Sequence, residues 1–133
     1  MNTTFQSGLL VTVVALLCGC ANMKNSSERG SAAEVRALFN RALLDCRKAD
    51  CDPVAAVSLL SSHYWLPQSV EPLIQKGTNA LPVLKEIGRS SDFAEKQLAA
   101  ACVQLIEAPR LEKGTRQHDD KSGITLVSYT ASR

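Results

Sequence analysis

No lysine or arginine occurs before Lys24, and the dense apolar run from Leu9 to Leu17 is nine residues long. That is about half of the ~20 residues a helix needs to cross a bilayer, so this run is too short for a membrane span. Histidine is scarce. His63 and His118 are the only two, neither stands in ligand spacing, and a zinc site has too few donors. No Gly-x-Ser-x-Gly, phosphate-binding loop or His-Glu-x-x-His occurs, so no motif specifies an enzyme. With 15 basic against 13 acidic side chains and no block of one sign, there is no electrostatic case for nucleic acid or a disordered charged tail. One Trp, two Tyr and three Phe make the chain poor in aromatics, so a cluster of them stands out.

What is present begins at the N-terminus. The run 9–17 has the length of a signal-peptide apolar region, and small residues follow it. Leu17-Cys18-Gly19-Cys20 resembles the bacterial lipobox, with Cys20 at the modified position. The resemblance departs from the family in lacking a basic start, and in placing Cys18 where alanine or serine is commoner. It implies a signal peptide over 1–19, a lipidated Cys20, and a polar tether over 20–30. It also implies a bacterial envelope address at the outer membrane, because Ala21 rather than an aspartate follows the cysteine. Membrane attachment would run through the acyl chains alone.

About 114 residues would follow cleavage, enough for one small domain. In an exported chain Cys46 and Cys51, in LLDCRKADCDP, are expected to form a disulfide that clamps a turn between two helices. So short a loop contributes about 2 kcal/mol. Two free thiols are the alternative reading. Cys102, in LAAACVQLI, reads as a small core residue.

The periodicity predicts an all-α domain over 31–109, a small bundle of antiparallel helix hairpins. Ser31 and Glu34 form a capping box, and Val35, Leu38, Phe39, Ala42, Leu43 and Cys46 recur on one face to about Lys48. Asp52-Pro53 restarts a helix to about His63. A short piece, SVEPLIQKG, ends at Gly77. Thr78 or Asn79 caps ALPVLKEI, which Gly88 follows. Ser91 or Asp92 caps FAEKQLAAACVQLIEA, which Pro109 closes. Residues 110–133 read as a polar tail in which ITLVSYT alternates like a short strand.

The stretch GTNALPVLKEIGRSSDFAEKQLAAACVQLIE resembles a HEAT-like repeat over roughly 30 residues. Its family implies two antiparallel helices turned through a glycine and an Asp/Ser loop. A solenoid of such units needs at least about three. Ser61-Ser62-His63 and His118-Asp119-Asp120 are the remaining polar clusters. The first cannot converge on one helix face, and the second reads as a solvated loop.

Tyr64, Trp65 and Leu66, in HYWLP, are the candidate partner-binding residues, at an expected helix–loop junction. Trp65 reads either as a plug between hairpins or as an anchor for a protein partner. The expected function is a non-enzymatic envelope lipoprotein that binds protein, without cofactor, metal or nucleic acid, a homodimer being a further candidate. In size, address and helical layout it is similar to the immunity proteins that occlude peptidoglycan amidases delivered by type VI secretion. No inhibitory residue transfers from that family. A structural or assembly scaffold with a HEAT-like surface is the alternative.

Overall fold

The computed structural model describes residues 31–50 and 63–132. The signal, the tether, Cys20, Cys51 and most of the expected 53–63 helix lie outside the described residues. Contacts divide the chain after Ala33. Of the N-terminal unit, residues 31–33 are described, and they are helical.

The unit from Glu34 onward is mixed α/β, which overturns the all-α expectation. It opens with α1 (34–48), whose buried stripe is Val35, Phe39, Ala42, Leu43 and Cys46, at three- and four-residue steps. Strand β1 (His63–Pro67) follows the undescribed segment. Then come a 3-10 turn (Gln68–Val70), α2 (Glu71–Gln75), a second 3-10 turn (Gly77–Ala80), α3 (Leu81–Ile87) and α4 (Phe93–Glu107). Strands β2 (Arg110–Asp119) and β3 (Ile124–Ser132) close the chain. They form an antiparallel sheet in the order β1-β3-β2.

The expected polar tail is therefore two strands, and β3 is the central one. The physical reason lies in pairing. β3 is β-branched and alternating, and it buries Val127, Tyr129 and Ala131 on one face. Its neighbours were unreadable as strands for opposite reasons. β1 is five residues long and ends in a proline. β2 is an edge among the described residues, so RLEKGTRQHD stays polar and largely exposed. Charged edges of this kind resist pairing with other chains.

The helices follow their local signals more closely. Asp92 caps α4, its carboxylate accepting from the Glu95 backbone N–H at 2.9 Å. That bond, with Arg47 beside it at 3.2 Å, holds the Asp92 carboxyl below its usual range. Expected caps at Thr78 or Asn79 are replaced by a 3-10 turn, with Pro82 in the first turn of α3. α3 and α4 do pack as a hairpin, Lys85 Nζ reaching Glu107 at 2.8 Å. The α4 helix of that hairpin packs on β3, where the expected bundle had only helices as neighbours. Tyr64 donates from its hydroxyl to Gln104 Oε1 of α4, and Lys113 pairs with Glu71 of α2, so α2 and α4 cover the same sheet face. α1 is tied on by Glu34–Lys76 and Arg36–Glu86, each 2.7 Å. These exposed pairs contribute little stability individually and mainly fix register.

Lys113 to Arg116 contains a bulge, and Gly114 sits there for lack of space. A Cβ at Gly114 would lie 2.3 Å from Ser128 Oγ. Ser128 is 3% exposed and donates to the Thr115 carbonyl at 3.4 Å, so turning its hydroxyl away gives up that bond. Gly114→Ala is expected to destabilise the domain by about 1–3 kcal/mol, in the range of overpacking. Adding Ser128→Ala should recover most of the loss. Chemical denaturation of the two single variants and the double variant measures this, and additive effects would show that Gly114 is not set by Ser128.

Candidate functional site

Strand alternation decides what the HYWLP segment presents. Tyr64 and Leu66 are 3% and 0% exposed, whereas Trp65 is 36% exposed and His63 is open to solvent. The expected trio therefore separates. Tyr64 and Leu66 are core side chains, pairing in register with Tyr129 and Val127 of β3. Only Trp65 keeps an accessible surface, and it lies on a strand rather than at a helix–loop junction.

Its companions are not its chain neighbours but residues two positions away and across the ladder. His63 and Trp65 share a face, their rings edge to face with centroids 6.0 Å apart. His63 Nδ1 is 3.2 Å from the Thr130 hydroxyl, and the same register places Thr130 opposite both His63 and Glu112. Trp65 stands opposite Ser128, itself held by the bulge. The result is an indole with one ring edge-on to it and a hydrogen-bonded support behind that ring. Such an aromatic loses little conformational freedom when a partner covers it. His63 and Thr130 were missed in the sequence, although reading HYWLP as a strand would have put His63 and Trp65 together.

The cysteines divide. Cys46 is disulfide-bonded, and Cys51, its expected partner, lies outside the described residues with Cys18 and Cys20. Cys102 is a free thiol, fully buried as expected. Burial pushes its pKa up to about 12, which leaves it protonated and a poor nucleophile. His118-Asp119-Asp120 ends β2. Asp119 accepts from the Ser122 hydroxyl and from the Lys121 N–H at 3.2 Å, bonds that hold its carboxyl below the usual range. The Asp119 oxygens thus close the β2–β3 turn, helped by Gly123 at φ +69°. Among the described residues, no three His, Cys, Asp or Glu side chains gather closely enough to share a metal ion. Nor is any described helix long and apolar enough to cross a membrane.

Searches against protein-family models, curated proteins and solved structures return no match, so the functional reading rests on the chain's own residues and geometry.

Proposed function

We propose that this chain is a lipid-anchored envelope protein without catalytic activity that binds a protein partner through Trp65 and the sheet face around it. The observation that carries the reading is the supported, partly exposed indole in a chain with a single tryptophan. Partly buried aromatics with fixed orientation are the common anchors of protein interfaces. The lipobox-like Leu17 to Cys20 supports the address, since anchoring at Cys20 would confine the domain to a membrane surface. An amidase effector is the first partner to test. The similarity that suggests it is one of size, address and helical layout, and the three-stranded sheet departs from the last of these, so the partner class proposed is protein in general.

The test pairs capture with a variant. Full-length protein in detergent is immobilised and exposed to envelope extract and, separately, to purified peptidoglycan amidases. Any retained partner is then titrated against the parent and Trp65→Ala. Truncation of the anchor is expected to weaken affinity by about 2 kcal/mol, around thirtyfold, with the domain still folded at the titration temperature by thermal melt. Equal affinities would remove Trp65 from the interface. Cys20→Ala should abolish metabolic palmitate labelling, and labelling that persists would refute the anchor.

A further inference from the structure

A recess lies elsewhere in the fold, and neither His63 nor Trp65 lines it. It is a cleft of about 470 Å³ between α1, the first 3-10 turn and the start of β3. This is at the small end of ligand pockets, which run from about 300 to 1,000 Å³. Its lining is divided by chemistry. Leu38, Pro72 and Ile124 supply apolar surface, while Arg41, Asp45 and Gln68 supply polar groups.

The polar groups are uncommitted. Neither Arg41 nor Asp45 joins an ion pair among the described residues, although five other pairs form there. The hydroxyl of Ser69, in the same wall, is buried without a hydrogen-bond partner. Leu38, Arg41 and Asp45 recur at three- and four-residue steps, so they lie along one face of α1. A guanidinium offers a planar fork of donors that matches a carboxylate. One turn further along, about 6 Å, Asp45 offers only acceptors.

A cation and an anion one helical turn apart, beside an apolar wall, complement a particular shape. The end of a polypeptide carries a carboxylate, then backbone N–H donors within a few ångströms, then a side chain. We propose that this cleft binds the C-terminal end of a peptide. The terminal carboxylate pairs with Arg41, the last N–H groups donate toward Asp45, and an aliphatic final side chain packs on Leu38, Pro72 and Ile124. Gln68 can donate to the carboxylate as well. The charge pattern selects against a simple anion, because Asp45 would repel one that brought no donors. The inference is independent of the Trp65 interface.

The experiment is a fluorescence anisotropy titration of the full-length chain in detergent with three dye-labelled hexapeptides. One ends in leucine with a free carboxylate, the second is its terminal amide, and the third is amidated with one internal glutamate. The first is expected to bind saturably, and the other two at least about tenfold more weakly, because a lost charged hydrogen-bond pair carries that much discrimination. Arg41→Ala should lower affinity for the first peptide by a similar factor, and Arg41→Lys should restore only part of it. Thermal melts check that both variants remain folded. Equal binding of free and amidated peptides overturns the proposal, as does an Arg41→Ala titration that superimposes on the parent. Tighter binding of the internal glutamate would replace the chain end by an acidic side chain. Absence of saturable binding to all three refutes the site.

Discussion

Leu66→Ala is expected to lower the free energy of unfolding by about 2–5 kcal/mol, the range for emptying a fully buried leucine site. Trp65→Ala, one residue away, is expected to cost less, about 1–2 kcal/mol, because the indole is only partly buried. The contrast follows from alternation along β1. Leu66 is 0% exposed and stands beside Val127, also 0%, on the face that α2 and α4 cover. Trp65 is 36% exposed on the opposite face. A domain of this size has roughly 5–15 kcal/mol of stability in all, so the leucine change removes a large share of it. Urea unfolding followed by far-ultraviolet circular dichroism provides the comparison, with the slope checked for constancy. Were the tryptophan truncation to cost more than the leucine one, the facing of β1 would be inverted. A one-residue slip of register does just that to every side chain of a strand.

The same alternation explains why parts of this fold were legible and others were not. Helix α1 was readable because its apolar residues recur over more than three turns, and five of the six expected stripe residues are buried. Leu38 is the exception: it stays partly open and lines the cleft instead. α4 was readable from Asp92 and from the alanine-rich stripe through Leu98, Cys102 and Leu105. β3 was visible as an alternating segment, but a strand reveals nothing about its partners, and those decided the fold class. His63 to Pro67 shows only five residues of pattern, too few to separate a strand from a helix end. Arg110 to Asp119 carries no apolar alternation because little of it is buried. Trp65 was found through the rarity of aromatics, whereas His63, Thr130 and Ser128 depended on pairings as distant as 67 residues. The cleft at Arg41 had no sequence signal, since one arginine on a solvated helix face looks like any other.

Two neutral groups buried together are expected to set the alkaline limit of this domain. Cys102 and Tyr129 are 0% and 2% exposed, and burial pushes both pKa values to about 12, from ordinary values of 9.0 and 10.0. For Tyr129 the Glu71 carboxylate and the Cys102 sulfur add to burial, and its hydroxyl has no hydrogen-bond partner. Below about pH 8 each group is neutral in the folded and unfolded chain alike, so its contribution is fully present. Between the ordinary value and about 12 the unfolded chain gives up the proton while the folded chain retains it. Stability therefore falls as pH rises, by about 1.4 kcal/mol per pH unit for each group within its window. For Cys102 the loss approaches about 4 kcal/mol by pH 12. Cys102→Ala is expected to be less stable at neutral pH, because it leaves a small void, yet to decline less steeply above pH 9. Tyr129→Phe removes an unsatisfied hydroxyl and should be neutral or stabilising by about 1 kcal/mol at pH 7, with a shallower decline above pH 10. Urea unfolding at half-unit steps from pH 7 to 11.5 separates these slopes from the loss of lysine ion pairs, which the parent and both variants share. If the parent and Cys102→Ala lose stability in parallel over that interval, Cys102 does not keep its proton through burial, and the packing of α4 against β3 must admit water.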